Sequence, residues 1–306
     1  MRTFVFTCLL LLGMTTFAQD ANFHIYLCLG QSNMEGNAKV EEQDTVAVDS
    51  RFQVLAAVDC PNLGRTKGNW YKAVPPLARC YTGLTPGDYF GRAMVANLPS
   101  NVRVGIINVA VGGCRIELFD KDNYQSYVET SPDWLKNMVK EYGGNPYARL
   151  VEMAKLAQKD GVIKGILLHQ GESNTNDKDW PLKVKGVYDN LLNDLGLSAA
   201  NVPLLAGEVV HADQNGVCAS MNTIIDSLPQ VIPTAHVISS AGCPAAFDNL
   251  HFTAEGYRML GARYAAKMLS ILGYGDWTSA QNMKLWYNRP AQDWLEALPL
   301  GNSRLG

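Results

Sequence analysis

From Phe23 onward the chain alternates short, almost unbroken apolar runs with stretches whose apolar residues recur every three to four positions. The first kind suits strands covered on both faces, and the second suits the helices that cover them. Residues 23–29, 102–111, 163–169, 203–209 and 236–240 are predicted strands. Helices are predicted over 88–97, 146–159, 181–195, 215–228 and 254–272, with Thr253 placed to cap the last. Strand and helix in alternation predict an α/β fold, doubly wound, with a mostly parallel five-stranded sheet. Residues 41–87 break the rhythm with many Gly, Pro and polar positions, and read as a long connection carrying one extra short strand at 52–58.

Composition narrows the function classes. The 306 residues are 47% hydrophobic and 18% charged, which supplies a sizeable core and excludes a disordered chain. With 26 basic against 29 acidic residues and a net charge of −3, no basic run is available to neutralise a string of phosphates, so nucleic acid is not an expected partner. Arg2 precedes an apolar stretch, and Thr16-Phe17-Ala18 offers small residues ahead of Gln19. This is the pattern of a signal peptide over 1–18, too short for a membrane span, and it predicts a secreted or periplasmic protein. Beyond Cys8 remain Cys28, Cys60, Cys80, Cys114, Cys218 and Cys243, for which about 15 full pairings exist. Cys60 with Cys80 and Cys218 with Cys243 are the expected bridges, each closing a loop-rich interval. Neither C-x-x-C nor a Cys/His zinc spacing is present, so no structural metal is expected.

Ligands in open α/β sheets bind beyond the carboxyl ends of the strands. Four loops fall there: Gly30-Gln31-Ser32-Asn33-Met34-Glu35-Gly36, Gly112-Gly113-Cys114-Arg115, His169-Gln170-Gly171-Glu172-Ser173-Asn174, and Asp248-Asn249-Leu250-His251. Together they hold what acyl-bond hydrolysis needs: a nucleophile, a base, a group to orient the base, and donors for an oxyanion. Ser32 is the candidate nucleophile, lifted on a turn between Gly30 and Gly36. Met34 stands where G-x-S-x-G would have its second glycine, so the α/β-hydrolase elbow is not matched. His251 is the candidate base, and Asp248, three residues earlier, can reach its Nδ1 and leave Nε2 for the serine. His24, His211 and His236 are read as structural. Oxyanion donors are expected from Ser32, Gly112, Gly113 and the Gln170 side-chain amide; Gln31, Asn33, Glu172 and Arg115 are expected to support them, with Glu172 bracing the serine loop or pairing with Arg115. Trp70, Tyr71, Tyr81, Tyr127 and Trp134 are candidates for stacking on a sugar ring. A covalent serine route needs neither metal nor organic cofactor.

These blocks, in this order over residues 23–272, resemble the SGNH-hydrolase superfamily, and within it the sialate O-acetylesterase and carbohydrate esterase family 6 acetylesterases. The resemblance implies a three-layer, flavodoxin-like fold, with Ser32 as nucleophile, Asp248 and His251 completing a triad, and a glycine of the Gly112-Gly113 pair in the oxyanion hole. Gln170 would stand in for the asparagine of other SGNH enzymes, while Cys114 departs from the usual Thr or Ser. The expected activity is removal of acetyl groups from a carbohydrate. Two competing expectations are a non-catalytic carbohydrate-binding module and an SGNH lipase acting on lipid esters. The tail, with Leu285-Trp286-Tyr287-Asn288-Arg289-Pro290 and Asp293-Trp294-Leu295-Glu296, resembles the opening of a glycoside hydrolase family 95 domain of the α-L-fucosidase type. That likeness implies an esterase domain over 19–275, a linker and domain start over 276–306, a fused or partner glycoside hydrolase, and an acetylated plant-type glycan as substrate.

Overall fold

The computed structural model describes residues 19–275; the expected leader and the family 95-like tail lie outside the described residues. Seven strands form one sheet: β1 (Asp20–Gly30), β2 (Phe52–Leu55), β3 (Trp70–Lys72), β4 (Arg103–Ala110), β5 (Gly161–His169), β6 (Leu204–Gly207) and β7 (Ala235–Ile238). Their order is β3-β2-β4-β1-β5-β6-β7, parallel throughout except for β3, which runs antiparallel to β2. The α/β class and the parallel sheet are as expected. The five-stranded count is corrected to seven: the extra strand at 52–58 forms, shortened to Phe52–Leu55, and β3 was not anticipated. Three half-exposed residues on an edge carry no alternation long enough to read.

Side chains alternate along β1 and build a core on each face. Phe23, Ile25, Leu27 and Leu29 pack with residues of helices Pro146–Ala157 and Trp180–Leu195, while Tyr26 and Cys28 pack with helices Pro86–Asn97 and Ala254–Ile271. The result is three layers. Helix ends carry the chemistry that fixes them: Thr85 and Asp88 form a capping box behind Pro86, Asn145 caps with Pro146 at the first turn, and Thr253 accepts from Gly256 N.

Two expectations fail between 215 and 243. In place of a helix over 215–228 there are short turns at Ala212–Gln214, Ala219–Met221, Asn222–Ile225 and Leu228–Val231. Asn215 takes a left-handed conformation with φ 56°, and the Asn222 amide is engaged by both polar backbone groups of Val209, so local bonds replace a continuous ladder. Cys218 and Cys243 remain free thiols, because Cys218 packs on one face of the sheet and Cys243 is buried on the other. The Cys60–Cys80 bridge does form, with a Cα separation of 5.2 Å. The segment 124–145, for which no helix was predicted, holds two helices, Tyr124–Thr130 and Asp133–Glu141.

Candidate active site

The three central strands β4, β1 and β5 end side by side, so the loops after them share one rim. β1 closes on a pinch: Gly30, at φ 151°, passes so near β5 that a Cβ would lie 2.0 Å from His169 O. Gln31 N then bonds His169 O at 3.0 Å, and the chain turns into the short helix Ser32–Glu35. Ser32 thus occupies the first helical position, where N–H groups have no acceptor within the helix.

The last loop supplies the partner. Asp248 Oδ1 accepts from the backbone N–H groups of Leu250 and His251, both at 3.0 Å, which curls the loop back on itself. Asp248 Oδ2 lies 2.7 Å from His251 Nδ1, and His251 Nε2 lies 2.9 Å from Ser32 Oγ. A carboxylate only accepts, so Nδ1 carries the hydrogen and Nε2 offers its lone pair to the serine hydroxyl. Partial burial pushes the Asp248 carboxyl up, but the hydrogen bonds from the His251 ring and from backbone N–H groups outweigh it and hold the carboxyl below 3.8. Residues separated by 219 positions are therefore joined in one chain of hydrogen bonds.

Beneath Ser32 lies a buried polar lattice. Asn33, fully buried, donates to Glu172 Oε1 at 2.5 Å and to Leu250 O at 3.1 Å, and accepts from Tyr257 OH at 2.6 Å. It ties the serine loop to the β5 loop and to the histidine loop. Glu172 thus braces the serine loop, the first of its two expected roles. The alternative, a pair with Arg115, does not form: Arg115 reaches Glu117 and Asp177 on the surface. Gln31 Oε1 accepts from Gln170 Nε2 at 3.1 Å and Ser173 N at 3.2 Å.

Gln170 corrects the expected donor set. Its Oε1 accepts from the Trp180 indole, which can only donate, and this fixes the amide's orientation. Nε2 then faces Asn174 Oδ1 at 2.7 Å, Gln31 Oε1 at 3.1 Å and Cys114 O at 3.3 Å, three acceptors for two hydrogens. The amide is a buried scaffold with no hydrogen left for an oxyanion. Gly112 comes closest to the serine, since a Cβ there would lie 3.8 Å from Ser32 Cβ and 2.9 Å from Glu35 Oε2. Gly113 adopts a left-handed φ of 70° at the third place of a turn closed by Cys114 N to Val111 O at 3.2 Å, as a type II turn requires.

A model of the family described as carbohydrate esterase, sialic acid-specific acetylesterase, matches residues 22–270. The chain belongs to this family. A probable carbohydrate esterase of Arabidopsis thaliana is 25% identical over 264 residues, covering 80% of this chain and 90% of that one. The solved Arabidopsis thaliana structure superposes with a TM-score of 0.62 at 22% identity over 82% of this chain and 99% of its own. NanS gives 0.59 at 14% identity, covering 84% and 99% of the two chains. A carbohydrate acetylesterase from Xanthomonas citri gives 0.56 at 18%, covering 81% of this chain and 56% of that one. These structural likenesses show a shared fold.

In this carbohydrate esterase two polar residues near the serine escaped sequence reasoning. Glu35, 8% exposed, receives Arg79 Nε at 3.0 Å and Nη2 at 2.6 Å, and Arg79 also holds Glu141 at 2.5 Å. Burial pushes the Glu35 carboxyl up, opposed by Arg79 and by the N–H of Gly112. Their only signal is Glu35 itself, inside the serine block; Arg79 lies in an aperiodic connection. Of the stacking candidates, Trp134 is 54% exposed and its ring lies over Gly113, where a Cβ would come within 2.6 Å of it. Tyr81 is 89% exposed. Trp70 packs on Phe23 and donates to Asp160, while the Tyr71 and Tyr127 hydroxyls accept from the backbone N–H groups of Thr66 and Arg115. His24 lies six residues before Gly30 in β1, roughly 20 Å below the rim.

Proposed function

We propose that the protein is a secreted serine O-acetylesterase acting on acetylated carbohydrate, with residues 19–275 as its esterase domain. The observation that carries the reading is the continuous hydrogen-bonded path from Asp248 through His251 to Ser32 Oγ. His251 Nε2 takes the hydroxyl proton as Ser32 Oγ attacks the acetyl carbonyl. The carbonyl oxygen becomes an oxyanion that receives hydrogen bonds from Ser32 N–H and from a backbone N–H of the Gly112-Gly113 pair, whose first residue comes close to Ser32. Collapse breaks the ester C–O bond, and His251 returns the proton to the departing sugar oxygen. An acetyl-serine remains. Water, deprotonated by His251, attacks it and releases acetate, restoring the serine. Asp248, held ionised by its hydrogen bonds, stabilises the imidazolium formed in each half.

The family membership supports a carbohydrate leaving group, as does Trp134 exposed beside Gly113, where an aromatic face suits a pyranose ring. The likeness of the tail to a glycoside hydrolase family 95 opening supports a fucose- or galactose-bearing plant glycan. The leader-like segment 1–18 supports export. The test is acetate release from a panel of acetylated plant oligosaccharides and O-acetylated sialosides by wild type and by Ser32→Ala. Turnover by the wild type and none by the variant is expected; equal turnover by both ends the reading. Sugar binding without hydrolysis would instead indicate a binding module, and a preference for long acyl chains a lipase.

A further inference from the structure

We propose that Glu35 is a positioning residue for the deacetylation: held by Arg79, its carboxylate clamps the Gly112-Gly113 turn against the Ser32 helix and fixes the spacing of the two oxyanion donors. The inference rests on the acetylesterase reading above and deepens it.

The geometry gives the two ends of the clamp. Glu35 closes the helix Ser32–Glu35, so its backbone is rigidly coupled to the serine three residues earlier. Its carboxylate crosses to the neighbouring loop: Oε2 lies 2.9 Å from the place where a side chain on residue 112 would begin. Oε1 takes both Arg79 bonds, Nε at 3.0 Å and Nη2 at 2.6 Å. Arg79 is anchored in turn. It precedes Cys80, which is bridged to Cys60, and its Nη1 reaches Glu141 at 2.5 Å, in the helix Asp133–Glu141 that carries Trp134 over Gly113. The carboxylate therefore links the serine helix, the glycine turn and a stapled loop.

Stability alone is a poor reason to keep this pair. The Arg79 and Glu35 side chains are only 12% and 10% exposed, and a buried ion pair can often be replaced by apolar residues at little cost. Placement of an oxyanion donor is a better reason. Donors act when they sit about 2.7–3.1 Å from the developing charge, and a shift of about 1 Å can cost roughly 10²-fold in rate. Gly112-Gly113 has no side chains of its own to hold it; a carboxylate from the nucleophile's helix does.

The experiment compares wild type, Glu35→Gln, Glu35→Leu and the paired Glu35→Leu/Arg79→Met, reading kcat and KM on an aryl acetate, the affinity for phenylboronic acid, and Tm. The boronic acid forms a tetrahedral adduct on a reactive serine and so reports the donors in the shape of the transition state. Glu35→Leu and the paired variant are expected to lose about 10- to 100-fold in kcat with KM within about twofold, the boronic acid affinity falling in step. Glu35→Gln, which keeps the side chain's length and a polar oxygen to lie against residue 112, is expected to lose less than either. A folded paired variant with wild-type kcat and boronic acid affinity overturns the proposal, as does a kcat loss that leaves that affinity unchanged. If the leucine variants do not fold, Glu35→Gln decides: a drop in boronic acid affinity at wild-type Tm supports the clamp, and wild-type values for both overturn it. Ser32→Ala in the same assay tests the acetylesterase reading separately, since its failure would show as retained turnover there.

Discussion

The two halves of the Ser32–His251 pair are held by different means. On the serine side, Gln31, Asn33, Glu172 and Gln170 are all at most 8% exposed and bond one another or fixed backbone. On the histidine side, the loop is open: the Asp248 side chain is 32% exposed, Phe247 is 99% exposed, and Asn249 adopts a left-handed φ of 53°. Ser32 sits on a buried platform, while His251 is held by its own loop through Asp248, by Asn33 bonding Leu250 O and by Val217 N–H bonding Asn249 O at 3.0 Å. In the proposed mechanism precision is needed most where the new bond forms and the oxyanion is received; the imidazole must also turn toward a leaving oxygen and then toward water.

The contrast can be broken at graded cost. Ser32→Ala is expected to lower kcat/KM by about 10⁴-fold or more, with His251→Ala close behind, because members of such a unit act together. Initial rates on an aryl acetate check both. Asn33→Ala strips partners from Glu172, Leu250 O and Tyr257 OH at once, and is expected to destabilise the fold by about 2–4 kcal/mol, read from urea unfolding, while loosening the histidine loop. A wild-type midpoint would show that the platform is not locked through this residue. Asp248→Asn should cost about 10²-fold in rate, less than either partner, since backbone bonds still shape the loop.

The same variant gives a pH signature. The Asp248 carboxyl is held below 3.8, so its contribution to stability is fully present above that value and is lost as the pH falls through the lower folded value. The Tm difference between wild type and Asp248→Asn should stay constant from pH 7 to about 5 and shrink below pH 4; a gap unchanged at pH 3 would contradict the assignment. Trp134→Ala, on the exposed rim, should raise KM for an acetylated oligosaccharide about fivefold while leaving aryl acetate kinetics near wild type. Smallest of all, Cys218→Ser is expected to leave Tm unchanged, since the thiol forms no disulfide and a serine hydroxyl can keep the bond to Glu172 O.

Much of the site was readable because its chemistry is tied to strand ends. Ser32, Asp248 and His251 place a hydroxyl, a carboxylate and one of only five imidazoles in loops that the strand and helix pattern already puts on one rim, and three-residue spacing suffices for a carboxylate to reach its imidazole. Gln170 shows the limit. Its residue type suits a donor, but its hydrogens are committed by Asn174 and Gln31 and its orientation by Trp180, ten residues on in a different element. Arg79 was unreadable for a related reason, since its importance comes from Glu35, 44 positions away, across a connection without periodicity. In the fold, long strands buried on both faces were legible; β3 and the interrupted segment from 212 to 231 were not, because side-chain bonds such as those of Asn222 decide the backbone there.

The crossing of residue 30 over His169 O sets a boundary for redesign. With 2.0 Å where a methyl would begin, residue 30 cannot carry a side chain without pushing the neighbouring strand away. Retargeting toward other esters therefore starts from the outer loops, around positions 81, 134 and 247, where side chains face solvent.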